Sequence, residues 1–260
     1  MRTRNDWTRA ALLAFVPWLA TACGDGATGP AGSGGGATVS LSLAVAPQAP
    51  TPKVSGANFA VTLGDGANTL TLDRVAIVLR DIELELQNDD SCNTHVPGVD
   101  DNCEEFEVGP KLLELPLDGS VSQKFQVSGV PAGVYDEIEL EVHKPSTPED
   151  TAFVRLNPQF DGVSIRVEGS FNTVPFLYQT DLNAEQEITL AKPLTIAAGD
   201  TSPTNLTLTV DVDTWFRDQV GTLVDPVTAN KGGLNESMVT ENIKFSIDGF
   251  EDGDLDGSAD

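Results

Sequence analysis

The chain is poor in the residues that most chemistry uses. Among 260 residues there are two histidines, three cysteines, two tyrosines and three tryptophans. GxSxG, HExxH and P-loop patterns are absent, so no nucleophile–base, zinc-protease or phosphate-cradling arrangement is in view. Positive charge is scarce: 15 Lys+Arg stand against 40 Asp+Glu, for a net charge of −25. That excludes nucleic acid as a ligand, since such affinity depends on Lys and Arg releasing phosphate counterions. It equally excludes docking on anionic lipid through a basic patch. No apolar run is long enough to span a bilayer as a helix. Aromatics are few as well, and beyond residue 22 only Trp215, Tyr135 and Tyr178 stand beside the phenylalanines. A sugar platform, which needs exposed aromatics, is therefore poorly supplied.

What is present begins at the N-terminus. Arg2, Arg4 and Arg9 make a basic start, an apolar stretch runs from Ala10 to Ala20, and Leu19-Ala20-Thr21-Ala22-Cys23 ends it. A charged start, a short apolar centre and small residues before a cut site are the marks of a secretory signal. The cysteine after the small residues resembles a bacterial lipobox, with Ala20 where leucine is more usual. The resemblance implies that Cys23 is acylated and becomes the mature N-terminus. An ordinary signal cut near Ala22 is the alternative. Residues 24–37 read GDGATGPAGSGGGA, a flexible coil whose ends lie on the order of 20 Å apart. An anchor followed by a loose spacer fits an envelope lipoprotein. Gly24 after the cysteine, by resemblance to the enterobacterial sorting rule, implies the outer membrane.

Removing residues 1–22 takes away three arginines and Asp6, leaving 12 Lys+Arg against 39 Asp+Glu, or −27. Such acidity favours solubility and cations as ligands. It equally fits adaptation to a salty habitat. Beyond Cys23 only Cys92 and Cys103 remain. An even pair in an oxidising compartment reads as a disulfide, worth roughly 3 kcal/mol in the chain-entropy model. The alternative, a metal held by Cys92, His95 and Cys103, fits no common zinc spacing.

The pattern along the chain has period two almost throughout. Val39, Leu41, Leu43 and Val45 share one face of a strand over 38–46, and Phe59, Val61 and Leu63 repeat the theme before a Gly64-Asp65-Gly66 turn. A long strand is expected over Leu70–Leu86. Its apolar residues fall on odd positions at Val75, Ile77 and Leu79, then on even ones at Ile82, Leu84 and Leu86. The change of phase at Arg80-Asp81 predicts a bulge or a strand that changes sheets. Short strands are expected around Phe106, over Lys111–Leu117 and around Phe125. Others are expected over Tyr135–His143, Ala152–Leu156, Val163–Phe171, Val174–Gln179, Gln186–Ile196 and Asn205–Asp213. Many short strands with Gly/Pro turns predict an all-β fold, an antiparallel sandwich of immunoglobulin or prealbumin type. Pro145 and Pro148 leave open a boundary between two smaller domains. Near the C-terminus, Val239, Ile243, Ile247 and Phe250 recur at helical spacing with Asn235 or Ser237 as N-cap. Ile243, Phe245 and Ile247 also alternate, so a strand is the rival.

The stretch Val130-Pro131-Ala132-Gly133-Val134-Tyr135-Asp136-Glu137-Ile138-Glu139-Leu140 resembles a turn-and-strand signature, pAGxYxxIxL. It is found in bacterial surface lipoproteins that carry a prealbumin-like β-sandwich domain of unknown function. Leu72–Leu86 and the run LAKPLTIAAGDTSPTNLTLTVDVDTWF are similar to further parts of that pattern, so the likeness covers roughly residues 38–216. It implies fold and location, not chemistry. The expected organisation is a signal at 1–22, a tether at 23–37, a sandwich at 38–216, a packing segment with a helix at 217–250 and an acidic tail at 251–260.

The tail carries the strongest chemical pattern. Asp252, Asp254 and Asp256 occupy positions 1, 3 and 5 of a calcium loop, Gly257 position 6, Ser258 the position-7 carbonyl and Asp260 position 9. Alternate carboxylates converge on one hard cation while the glycine permits the turn. The position-12 glutamate is missing, so binding is expected to be weak, about 10⁻⁴–10⁻³ M. The nonapeptide also resembles a thrombospondin type-3 repeat, DxDxDGxxD. A solvated, frayed acidic tail is the competing reading. A second acidic group comprises Asp89, Asp90, Asp100, Asp101, Glu104 and Glu105. Glu83, Glu85, Glu137, Glu139 and Glu141 read as wet faces of strands, His143 as a surface residue, and Trp215-Phe216 as core. The expected function is that of a non-catalytic binding or structural module, held to a membrane by its lipid and meeting an envelope protein or polysaccharide. A carbohydrate-binding module and a hydrolase using paired carboxylates are the alternatives.

Overall fold

A single 18-residue strand is the spine of the protein. The computed structural model describes residues 36–46, 60–87, 104–107 and 109–259. The first strands are β1 (Ala37–Val45), β2 (Val61–Gly64), β3 (Thr69–Leu86), β4 (Glu104–Glu107), β5 (Lys111–Glu114), β6 (Ser122–Val130) and β7 (Gly133–Val142). A short helix α1 (Thr151–Leu156) leads to β8 (Ile165–Phe171), β9 (Val174–Thr180), β10 (Ala184–Ile196) and β11 (Pro203–Val210). Then come α2 (Val212–Trp215), α3 (Glu236–Lys244) and β12 (Ile247–Glu251).

The strands form two sheets. One runs β12-β11-β1-β6, antiparallel except for the parallel β1–β11 pair. The other runs β10-β7-β3-β8-β9, with β2, β4 and β5 also paired to β3. Val39, Leu41, Leu206 and Leu208 from the first sheet share one buried core with Leu72, Val75, Ile77, Ile138, Leu140 and Val167 from the second. This is the expected all-β sandwich, with a short C-terminal helix. Each fully buried Leu or Ile contributes about 1.5–3 kcal/mol.

The phase change in β3 is a bulge. Asp81 adopts φ +47°, and the register with β7 slips between Arg80 and Glu83. Before it, β8 covers one edge of β3; after it, β7 takes over the same edge. Val78 marks the handover: its N–H donates to the Ser164 carbonyl at 2.8 Å and its carbonyl accepts from His143 N–H at 2.9 Å. The bulge keeps apolar residues facing inward on both sides of a turn in the sheet. Gly169 permits the close β3–β8 approach, since a Cβ there would stand 2.0 Å from the Thr71 carbonyl oxygen.

Two segments differ from the sequence pattern. Ala152–Leu156, expected as a strand, lies in α1. Five residues with apolar side chains at 152, 153, 154 and 156 do not distinguish the two periods. Tertiary context decides it, because the segment around α1 covers the outer face of β3. Ala76 and Val78 pack there on Phe160, with Phe153 beside them. The C-terminal ambiguity resolves into both elements in succession. Val239 and Ile243 are buried on α3, while Ile247 and Phe250 belong to β12 rather than to a continued helix. Asn235 precedes α3, but its side chain donates to Thr228 Oγ1 at 2.8 Å instead of capping the helix.

The pAGxYxxIxL stretch has a mechanical explanation. Tyr135 is fully buried, and its hydroxyl donates back to the Pro131 carbonyl at 3.1 Å. That bond closes the turn from β6 into β7. Trp215 and Phe216 are core residues, both at 0% exposure. Trp215 Nε1 donates to Ser246 Oγ at 2.7 Å, tying α2 to the end of α3. Phe216 meets Tyr178 edge-on, with ring centres 5.1 Å apart.

Candidate functional site

The acidic tail is folded back onto the sandwich. β12 pairs with β11, Leu206 opposite Glu251, and this delivers Asp252 beside Asn205 and Thr207. Asp252 is wholly buried, in contrast to the frayed tail that is one reading of the sequence. Its Oδ2 accepts from Thr207 Oγ1 at 2.9 Å and from Gly257 N–H at 3.1 Å, and its Oδ1 accepts from Asp256 N–H at 3.0 Å. Asn205 Nδ2 donates to the Asp252 carbonyl at 3.1 Å, and Ser42 Oγ donates to Asn205 Oδ1 at 2.7 Å. A buried carboxylate is tolerable only when donors surround it in this way.

This anchoring bends the chain that follows. Leu255 and Gly257 take φ +60° and +83°. Carboxylate oxygens of Asp252, Asp254 and Asp256 come within 4.8 Å of one another. Asp254 and Asp256 are exposed. Asp252 Oδ1 accepts from one donor among the described residues, which leaves a lone pair for a cation. Asp256 Oδ1 accepts from Ser258 N–H at 2.8 Å and its second oxygen is the candidate ligand. The three carboxylates fit the opening half of a hard-cation loop, with water left to complete the six to eight oxygens that calcium takes. Ser258 follows in the bend, and Asp260 lies outside the described residues.

The sequence pattern did not point to Asn205, Thr207 and Ser42, which hold the tail. Their signal is in hindsight compositional. The outer face of β1 and β11 carries Ser40, Ser42, Asn205, Thr207 and Thr209, all buried and none charged.

A second acidic group stands on the outer face of the larger sheet. The register sets Glu85 opposite Glu137, Glu83 opposite Glu139, Glu139 opposite Glu187 and Glu141 opposite Glu185. These are not simply wet strand faces: Glu83 and Glu85 are only 8% and 7% exposed. Glu139 forms side-chain hydrogen bonds with Glu185 and Glu85. Burial, with the Glu85 contact adding to it, pushes the Glu139 carboxyl up to about 7. The hydrogen bond and charge of Glu139 push Glu185 to about 7 as well. Burial raises Glu85, reinforced by the charges of Glu137, Glu83 and Glu187. Burial raises Glu137 too, with Glu187 and Asp136 beside it. Arg80 pairs with Glu141 and with Asp81 at the margin of the group.

His143 is a buried residue, not a surface one, at 2% exposure. The chain returns there from β7 to cover the β3–β8 junction. Its Nε2 lies 2.9 Å from Asp150 Oδ2, and its Nδ1 lies 3.6 Å from Glu141 Oε1. Burial opposes ionisation of Asp150, but bonds from His143 and Ser146 outweigh it and hold the carboxyl below its usual value. Ser146 N–H donates to Asp150 Oδ2 at 3.0 Å, while its hydroxyl donates to Glu149.

Cys23, Cys92, Cys103, His95, Asp89, Asp90, Asp100 and Asp101 lie outside the described residues, as do the side chains of Glu104 and Glu105. Among the described residues no helix is long and apolar enough to cross a membrane. Comparison with protein-family models, with curated proteins and with solved structures found no match.

Proposed function

We propose that this chain is an extracytoplasmic lipoprotein of the bacterial envelope, anchored through Cys23 in the outer membrane. Its prealbumin-like sandwich serves there as a non-catalytic binding or structural module. Its C-terminal loop holds calcium weakly. The observation that carries the calcium reading is the convergence of Asp252, Asp254 and Asp256 around a buried, hydrogen-bonded first ligand. A loop tethered at position 1 has already lost much of the freedom that binding would otherwise cost. The anchor rests on the basic start, the apolar stretch and the small residues before Cys23, followed by the glycine-rich spacer.

Calorimetric titration with calcium decides the first part. The full-length chain should bind one ion in the tail with a Kd of about 10⁻⁴–10⁻³ M, and Asp254→Asn with Asp256→Asn should remove that phase. Equal heats from both proteins overturn it. Intact-mass measurement of protein from native membranes should show acyl chains on Cys23, and an unmodified mass overturns the anchor.

The carbohydrate reading loses support because Trp215, Tyr135 and Tyr178 are all buried at 0% exposure. A glycosidase reading would draw on Glu139 and Glu185. Glu139 raises the Glu185 carboxyl, and both stand on the same outer face of the larger sheet.

A further inference from the structure

We propose that the glutamate face of the larger sheet is a second divalent-cation site, built by Glu85 on β3 and Glu137 and Glu139 on β7, with Glu185 on β10 beside them. Calcium is the ion it fits.

One carboxylate of this face is poorly solvated. Glu85 is 7% exposed, and its Oε1 is buried with no hydrogen-bond partner among the described residues. A buried charged oxygen without a donor is costly. Its neighbours make the position worse. The groups facing it are Glu83 on its own strand, Glu137 and Glu139 on β7, and Glu187 on β10. Glu185 and Glu141 continue the row, with Asp136 beside Glu137. Arg80 is committed to Glu141 and Asp81, and His143 to Asp150 and Glu141. An array in which anions face anions is stabilised by a shared proton or by a shared cation.

The framework suits the cation. Glu85 and Glu137 are cross-strand partners, and Glu139 stands one diagonal step from Glu85. Cross-strand Cβ atoms lie about 4.5–5.5 Å apart, so side chains from two strands reach a common ion at calcium's 2.3–2.6 Å ligand distance. Among the described residues only the tail carboxylates converge as a trio within 4.8 Å. An ion on the glutamate face therefore draws flexible side chains inward from a rigid sheet. Carboxylate oxygens alone select a hard cation.

The test uses the full-length chain carrying Asp254→Asn and Asp256→Asn, so that the tail is silent. Calcium alone is the probe, followed by calorimetry and by thermal melting. One calcium should bind at pH 8. Adding Glu85→Gln and Glu139→Gln should abolish the binding heat while raising the melting temperature measured without calcium, because these changes remove like-charge repulsion. That rise shows that the variant is folded. No calcium heat at pH 8 in the tail-silenced chain overturns the proposal, as does heat that survives the two glutamine substitutions. Loss of the tail site alone leaves these results unchanged, so the two sites fail separately.

Discussion

Replacing Glu139 with glutamine should flatten the pH dependence of stability. In the fold its carboxyl is pushed from an ordinary 4.5 to about 7. The folded protein then binds a proton between those values that the unfolded chain does not. Stability is therefore full below pH 4.5 and is lost as the pH rises through 7. A displacement of that size for a fully screened-off group would correspond to about 3.4 kcal/mol at 1.36 kcal/mol per pH unit. Two features reduce it. Glu185, the partner in the shared proton, is exposed, so solvent screens the pair. The two carboxyls also titrate as one coupled system, so the proton counts once. We expect a loss of about 1–2 kcal/mol between pH 5 and pH 8 in calcium-free buffer. Urea unfolding followed by the fluorescence of buried Trp215 measures it. Glu139→Gln, neutral at every pH, should be more stable than the parent at pH 8 and show a shallower decline. A decline of equal steepness in the two proteins would refute the assignment of that proton to the glutamate face.

Other consequences are simpler to measure. Thr207→Val keeps the shape of the side chain but takes one donor from buried Asp252; it should cost about 1–3 kcal/mol and speed hydrogen exchange at residues 252–257. Tyr135→Phe removes the bond to the Pro131 carbonyl, and denaturant midpoints should report a loss of about 0.5–1.5 kcal/mol. Gly169→Ala would drive a methyl group to 2.0 Å from the Thr71 carbonyl; we expect destabilisation of at least about 3 kcal/mol, visible as a large fall in melting temperature.

Period-two alternation made most of the sandwich legible, because a half-buried strand must alternate. The bulge was legible too, since Leu79 and Ile82 cannot both face inward on an unbroken strand. Ala152–Leu156 was not, because its helix is imposed by what it covers, Ala76 and Val78 on the outer face of β3. The tail's spacing announced three carboxylates, yet burial of Asp252 depends on Asn205 and Thr207, some 45 residues away. Glu83 and Glu85 looked like solvent-facing residues because alternation reports which face a side chain takes, not how crowded that face is. The crowding comes from three strands, β3, β7 and β10, whose register no local pattern reveals. His143 was misplaced for a similar reason: its cover arrives from Asp150 after the strand has ended.

The parallel pairing of β1 with β11 has a consequence for how the molecule is made. A chain emerging from the ribosome can complete the β3-centred sheet once residue 196 has appeared, but β1 must wait for residues 203–210 to gain its second neighbour. β1 is thus stitched to a segment synthesised long after it. Such long-range closure is slow, and until it happens β1 offers an unsatisfied backbone edge to any passing strand. A product interrupted before residue 203 would keep that edge permanently open and be prone to self-association.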